Sequence, residues 1–365
     1  MKLLTDNDYI KRAIKLARKG IGYVNPNPMV GCVIVKDGKV VGQGYHPCFG
    51  KEHAEIMALR NAGEKASGAT LYVNLEPCCH YGKTPPCTDA IIEAGIKRVV
   101  VGMVDPNPLV NQKGVEILRN HEIEVSTGVE ESACKDLNRA FIKYITAGMP
   151  YVTLKIAQSL DGRIATVTGN SQWITSYEAR VLAHRIRSES DAIIVGIGTV
   201  LTDDPQLTVR HVRSKNPVRI VLDSQLRIPL ESQLLSDEHV NQTIIATTSN
   251  DLSKIDRIKK MGAHIWEFEP GNNGKISIPN LLKKIAQARM SAVMIEGGAG
   301  VFTSFLKAKM ADRIVFALAP KIIGTGKDAI GDLDILKVEN CIKLINVKTR
   351  KLGTDILVHA DVSYT

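Results

Sequence analysis

At 365 residues and 44% apolar content, the chain is longer than one average domain and reads as two, each with its own core. The N-terminus runs at once into Asp6 and Asp8, and the longest apolar run, 192–201, is far short of the roughly 20 residues that span a bilayer. A soluble, cytoplasmic protein is expected. A net charge of +9 admits nucleic acid, a membrane surface or phosphorylated metabolites, but with only 5% aromatic residues and no long basic block a nucleic-acid stacking platform is poorly supported. Phosphorylated small molecules fit better.

In chain order, Asp6 or Asp8 is placed to cap a helix whose Ile10, Ala13, Ile14 and Ala17 share one face, ending at Gly20. Residues 29–35, the Asp37-Gly38 turn and 39–44 read as a hairpin. A helix at 53–60 and a strand at 70–75 follow, then a helix at 86–94 with Pro86 at its start and Gly95 after its end. A buried strand at 97–104 precedes a last helix at 131–147, which runs into Gly148-Met149-Pro150. That breaker is the expected domain boundary and gives domains 1–148 and 149–365. The pattern then restarts with strands at 151–157, 192–197, 218–222 and 243–247, a helix at 176–190, and helices near 251–261 and 279–289. A strand, turn and helix over 292–307 complete the alternation, which predicts a mainly parallel sheet covered on both faces. Segments 342–348 and 355–360 would add antiparallel edge strands.

Three of the seven cysteines, Cys78, Cys79 and Cys87, crowd into ten residues, which favours a metal over disulfides in a reducing compartment. Cys32, Cys48, Cys134 and Cys341 read as buried small hydrophobes. His53-Ala-Glu55, Pro77-Cys78 and Pro86-Cys87 together supply one imidazole, two thiolates and a carboxylate. A catalytic zinc keeps three protein ligands and leaves the fourth position to a water whose pKa falls to about 7, whereas a structural zinc is closed by four. His53, Cys78 and Cys87 make three. Residues two apart on a helix point about 200° apart, so Glu55 is not a second ligand beside His53, yet it can reach the water and carry its proton. The alternatives are a structural site using Cys79 or His80, or unrelated cysteines.

His-x-Glu followed by Pro-Cys is the zinc deaminase signature. Its usual second half is Cys-x2-Cys, whereas eight residues separate Cys78 from Cys87, which argues against a cytidine or tRNA deaminase with an appended domain. Asn27-Pro-Met-Val-Gly31, His53-Ala-Glu55, the stretch Leu75-Glu-Pro-Cys-Cys-His-Tyr-Gly-Lys-Thr-Pro-Pro-Cys87 and Asp105-Pro-Asn-Pro108 closely resemble the deaminase half of the RibD family of bifunctional riboflavin-biosynthesis enzymes. The resemblance implies zinc on His53, Cys78 and Cys87, Glu55 as the catalytic proton shuttle, and pyrimidine contacts at Asn27, His46, His80 and Lys83. It also implies a cytidine-deaminase-like three-layer αβα domain. A rival of another class, a zinc-stabilised nucleic-acid-binding module, leaves Glu55 without a task.

The second half alone offers less. Glu296-Gly-Gly-Ala-Gly300 after an apolar run suits a phosphate-cradling turn, though it lacks the Gly-x-Gly-x-x-Gly fingerprint. Taken singly, Arg187 and Arg210 read as solvated charges, Trp173 as core and Glu296 as a loop carboxylate. Leu154-Lys-Ile-Ala-Gln-Ser-Leu-Asp-Gly162, Ser171-Gln-Trp-Ile-Thr175, Val195-Gly-Ile-Gly-Thr199, Asp203-Asp-Pro205, Leu207-Thr-Val-Arg210 and Glu296-Gly-Gly298 resemble the reductase half of the same family. That half is similar in fold to dihydrofolate reductase, an α/β domain. The resemblance implies NADPH contacts at Ala157, Trp173, Thr199, Asp203 and Ser224 and along the turn after Gly297, namely Gly298, Ala299, Gly300, Val301, Phe302, Thr303 and Ser304. It implies substrate contacts at Ser171, Arg187, Leu207, Arg210 and Glu296, with Ser171 and the two arginines suited to a ribose phosphate. Lys155 would lie near the hydride path. The reading is therefore a zinc- and NADPH-dependent enzyme of phosphorylated pyrimidines, without nucleic-acid or membrane partners, assembled as a homo-oligomer (dimer or tetramer).

Overall fold

The computed structural model describes residues 4–81, 85–271 and 273–364. The chain divides into two compact units, Met1–Met149 and Pro150–Thr365, just past Gly148, whose φ of 63° ends the preceding helix.

The first unit is built on strands β1 (Gly31–Lys36), β2 (Lys39–Tyr45), β3 (Thr70–Leu75), β4 (Arg98–Met103) and β5 (Glu124–Thr127), in the order β2-β1-β3-β4-β5. β1 is antiparallel to β2 and β3, while β3, β4 and β5 run parallel. Asp37 and Gly38 both take positive φ, which matches the hairpin to the strand twist. Cys32 and Ile34 point into one apolar core and Val33 and Val35 into another, so both sheet faces are covered. Helices α2 (Ala54–Ala62), α3 (Cys87–Glu93) and α4 (Lys113–Asn120) supply Ala54, Ala58, Ile91 and Leu118 to the first core. Helices α1 (Asp6–Ala17), α5 (Glu131–Leu137) and α6 (Arg139–Ala147) close the second. The result is a three-layer αβα unit.

Gly44 explains the seating of α2. A Cβ there would stand 2.3 Å from the Ala54 carbonyl oxygen, so glycine lets α2 rest directly on the β2 backbone. Three local expectations change. Thr5, rather than Asp6 or Asp8, caps α1, with Asp8 completing a capping box. The helix expected at 131–147 breaks at Asn138, whose amide instead accepts from the Met29 N–H (2.8 Å) and donates to the Met29 carbonyl (3.1 Å). Helix α4 and strand β5 lie between the predicted elements.

The second unit holds β6 (Tyr151–Ser159), β7 (Arg163–Thr166), β8 (Ala192–Gly196), β9 (Val218–Leu222), β10 (Thr243–Thr247), β11 (His264–Glu267), β12 (Ala292–Gly297), β13 (Arg313–Ala319), β14 (Gly326–Asp328), β15 (Lys343–Leu352) and β16 (Asp355–Ser363). Nine of them form one sheet in the order β11-β10-β9-β8-β12-β6-β13-β16-β15, and β7 pairs with β14 separately. From β11 to β13 every pair is parallel, and β16 and β15 add antiparallel edges. Helices α7 (Tyr177–Glu189), α8 (Ile197–Asp203), α9 (Gln233–Ser236), α10 (Leu252–Lys260), α11 (Ile278–Gln287) and α12 (Ala299–Lys307) make the crossovers and caps. Helix α8 starts at Ile197, where the sequence pattern still reads strand. Among the described residues no helix is long and apolar enough to cross a membrane. Cys32 and Cys134 are buried as expected, but Cys48 is only half-buried and Cys341 is exposed.

Candidate active sites

His53 is the N-cap of α2, Cys87 opens α3, and Cys78 lies in the loop after β3. His53 Nδ1 is 3.3 Å from Cys87 Sγ and 3.5 Å from Cys78 Sγ. Tetrahedral zinc with ordinary Zn–N and Zn–S bonds puts such donors about 3.6 Å apart, so the three residues fit that ion. Their donor atoms all lie within 4.8 Å of one another, and neither Cys79 nor His80 joins them. The Cys87 N–H points at Cys78 Sγ (3.4 Å) and the Thr88 N–H at the Cys78 carbonyl (3.2 Å), so the start of α3 organises the loop. Hydrogen bonding from Cys87 and His53 holds the Cys78 thiol down, while contact with Cys78 and burial push the Cys87 thiol up. On metal coordination both cysteines bind as thiolates.

Glu55, in the first turn of α2, is 3% exposed. Burial, and secondarily Cys78, raises its carboxyl to about 7, where it can both take and give a proton at neutral pH. A cavity of about 370 Å³ opens over these groups and is also lined by Asn27, His46, His80, Asp105 and Asn107. His46 Nδ1 donates to the Glu52 carbonyl (2.9 Å), which leaves Nε2 to accept from Asn27 Nδ2 (3.4 Å). His46 therefore orients the Asn27 amide, which lines the cavity. Lys83 lies outside the described residues.

The sequence reading passed over the groups that fix this cavity. Asn74 accepts from the Gly31 N–H (2.7 Å) and donates to the Met29 carbonyl (2.9 Å), which with Asn138 pins the segment carrying Asn27. Glu76, 3% exposed, accepts backbone N–H groups from Asp105 (3.1 Å), Gln112 (3.0 Å) and Val115 (3.2 Å). Burial raises Asp105 to about 6. A buried polar residue beside a metal motif was the available signal.

In the second unit a cavity of about 670 Å³ lies past the carboxyl ends of β8, β9 and β12, where open parallel sheets bind ligands. Ser171, Thr199, Asp203, Ser224, Gly298, Ala299, Gly300, Val301 and Ser304 line it, together with Arg227, Lys275 and Lys327. Gly198 and Gly300 have nothing within 4 Å of where a Cβ would stand, so bare backbone faces the cavity, as a dinucleotide requires. Phe302 is instead packed in the core at 3% exposure. The Thr303 hydroxyl is bonded to the Ala299 carbonyl and the Gly331 N–H. Ala157 lies on β6, outside that cavity wall. Trp173 is no core residue: it is 62% exposed, with the Arg180 guanidinium 4.4 Å from its ring centre.

A separate polar cluster centres on Glu296 near the end of β12. Arg187 grips both of its oxygens (2.7 and 2.8 Å) and the Thr208 carbonyl (2.8 Å), with Lys155 Nζ 3.9 Å away. Burial lowers the Lys155 ammonium, against the pull of Glu296. Arg187 is therefore a buried, paired cation and not the solvated charge that it reads as singly. Arg210 keeps an exposed side chain held by Gln206 and Thr208, and its N–H donates to His184 Nδ1 (3.0 Å). Leu207 is buried with φ of 56°.

The family described as the RibD C-terminal domain matches residues 150–358, and the cytidine and deoxycytidylate deaminase zinc-binding region matches residues 4–103. The riboflavin biosynthesis protein RibD of Aquifex aeolicus is 51% identical over 354 residues, 97% of each chain. That of Escherichia coli is 38% identical over 98% of this chain and 99% of its own. Among solved structures, RibD of Acinetobacter baumannii superposes with a TM-score of 0.86 at 38% identity, covering 99% of this chain and all of that one. A diaminohydroxyphosphoribosylaminopyrimidine deaminase/5-amino-6-(5-phosphoribosylamino)uracil reductase from Thermotoga maritima gives 0.84 at 40% identity, covering 98% and 99%.

Proposed function

This chain belongs to the RibD family of bifunctional riboflavin-biosynthesis enzymes, and on that premise we propose which residues carry its deaminase and reductase activities. The observation that carries the reading is the zinc-spaced His53, Cys78 and Cys87 trio with the buried Glu55 carboxyl beside it. The first unit acts on 2,5-diamino-6-(5-phosphoribosylamino)pyrimidin-4(3H)-one, replacing its 2-amino group by oxygen from water. Zinc, when bound, supplies a water acidified to about pKa 7. Glu55 takes a proton from the attacking water and delivers it to the departing amino group, so one water is consumed and one ammonia released. Asn27, oriented by His46, accepts a hydrogen bond from the ring, and His80 and Lys83 complete the substrate contacts.

The product, 5-amino-6-(5-phosphoribosylamino)uracil, is then reduced in the second unit from ribosyl to ribityl. NADPH, when bound, supplies the hydride. Thr199, Asp203, Ser224 and the turn from Gly298 to Val301, with Ser304, hold the dinucleotide. The family resemblance adds contacts from Trp173 and from Ala157 on β6, which lie outside the cavity lining. Arg187 holds the Glu296 carboxylate, with Lys155 beside it, against the opening sugar, and Leu207 packs the wall. Arg210 and Ser171 meet the sugar phosphate. Both ligands carry phosphate, which suits the +9 net charge. A homo-oligomer, dimer or tetramer, is proposed through the exposed edge strand β15, which presents Leu344, Ile345 and Val347.

Glu55→Gln tests the deaminase assignment. Zinc content should stay at the wild-type level while ammonia release falls about 10²–10⁴-fold; undiminished release would remove Glu55 from the mechanism. With wild-type enzyme, ammonia should appear without NADPH and NADPH oxidation only after deamination. Oxidation without ammonia would refute the order.

A further inference from the structure

We propose that Arg227 and Lys275 form the seat of the NADPH 2′-phosphate and so set the preference of this site for NADPH over NADH. The inference rests on the assignment of NADPH to the second unit's cavity.

The walls of that cavity differ in character. At the ends of β8 and β12 the wall is glycine-rich, Gly196 to Thr199 and Gly298 to Val301, with no cationic side chain among them. Past the end of β9 it is made of polar side chains, Ser224, Gln225 and Arg227 from one turn and Asn273 and Lys275 from another. A third cation, Lys327, acts on Asp203, countering the rise that burial gives this carboxyl. Among the described residues neither Arg227 nor Lys275 has an ion-pair partner.

Both cations stand on fixed backbone. Arg227 lies between Leu226 and Ile228, 2% and 0% exposed. The fully buried Asp223 accepts the Ile228 N–H on its side chain (2.7 Å) and the Leu226 N–H on its carbonyl (3.0 Å). Leu226 is held at φ of 53°, a conformation a leucine keeps only where its surroundings impose it. The Lys275 N–H donates to Asn273 Oδ1 (3.1 Å), its carbonyl accepts from Gly271 (2.8 Å), and Ile276 behind it is buried. The Thr248 hydroxyl lies 3.0 Å from the Ser224 carbonyl and 3.4 Å from that of Gly274, tying the two turns together.

The chemistry of the two walls divides the phosphates of a dinucleotide between them. A bridging diphosphate is served by backbone amides at glycine turns and helix starts and needs no side-chain cation. A monoester phosphate is close to a dianion at neutral pH and presents three oxygens, which an arginine fork and a lysine point charge match. Position agrees as well. In the sheet order β9-β8-β12, the end of β9 is two strands, about 10 Å, from the end of β12 that carries Glu296. The cation pair thus sits at the end of the cavity away from the reacting sugar, where the adenosine half belongs.

The test is calorimetric titration of the full zinc-loaded chain and its R227Q, K275Q and double variants with NADP+, NAD+, 2′,5′-ADP and 5′-AMP. Each single change should weaken NADP+ and 2′,5′-ADP about tenfold and the double about 100-fold, since each removes one partly screened charge-assisted contact. Affinity for NAD+ and 5′-AMP should move less than about twofold, which also reports an intact fold. Raising salt should erode the wild-type NADP+/NAD+ ratio and leave that of the double variant flat. Equal loss for both dinucleotides, or no loss for either, overturns the seat while leaving the NADPH assignment standing. A wild-type chain that binds neither NADP+ nor 2′,5′-ADP overturns both.

Discussion

Replacing Glu76 separates the metal trio from the loop that walls its cavity. The carboxylate is buried and takes three backbone N–H groups, from Asp105 and Gln112 on Oε2 and from Val115 on Oε1. Hydrogen bonds to a charged acceptor contribute about 1.5–3 kcal/mol each. Part of this is lost to desolvating the carboxylate and part is recovered by rehydration of the freed amides, so about 3–4 kcal/mol is expected for Glu76→Ala. In Glu76→Gln the amide oxygen keeps the pair on Oε2 and turns its NH2 on the Val115 N–H, a loss of about 1–2 kcal/mol. Native-state hydrogen exchange reads this directly: the Asp105, Gln112 and Val115 amides should exchange about two to three orders of magnitude faster in the alanine variant and about tenfold faster in the glutamine variant. Ammonia release should show a raised KM with zinc content retained, because Asp105 and Asn107 belong to the cavity wall and Glu76 bonds none of the three ligands. Equal exchange in the two variants, or protection at Gln112 and Val115 equal to wild type in both, would refute the three-bond account.

Two further outcomes follow from packing and from charge. Gly44→Ala would place its Cβ 2.3 Å from the Ala54 carbonyl oxygen and 2.7 Å from the Ala58 nitrogen, backbone atoms that yield only if α2 shifts. Stability should drop by about 1–3 kcal/mol and zinc content fall with it, as His53 and Glu55 ride on that helix; metal analysis and urea unfolding check both. His184 is held down to about 4, chiefly by burial and then by Arg187 and Arg210. The unfolded chain therefore binds this proton near pH 6.5 and the folded one only near 4, so this contribution is intact above 6.5 and lost as pH falls toward 4. His184→Asn keeps an acceptor for the Arg210 N–H and should flatten that slope by about 1–2 kcal/mol after allowance for screening, read from unfolding curves across pH 4–7; an unchanged slope refutes the assignment.

The zinc trio was legible because its chemistry is local in sequence: donor types, a proline-led helix start and spacing all stand within one stretch, and the fold had only to bring two helix starts and one loop together. The sheets were legible for a similar reason, since strands buried on both faces, such as β8 and β12, leave unbroken apolar runs. Strand β5, with a half-exposed pattern over four residues, leaves no such trace. Asn138 shows the complementary limit. Its neighbours continue a helical pattern, and only the backbone of Met29, 109 residues earlier, offers it a better use.

Arg187 marks the same limit within a site. Read singly it is a solvated charge, yet three of its guanidinium N–H groups bond Glu296 and the Thr208 carbonyl. The pairing joins α7 to the end of β12 across 109 residues, and neither local sequence carries a sign of the other. Its physical consequence is directional. A carboxylate gripped on both oxygens by a buried guanidinium keeps its charge and its orientation, which is why the pull of Arg187 and Lys155 lowers the Glu296 pKa against the burial that would raise it. Arg210, by contrast, keeps an exposed guanidinium that is held by Gln206 and Thr208.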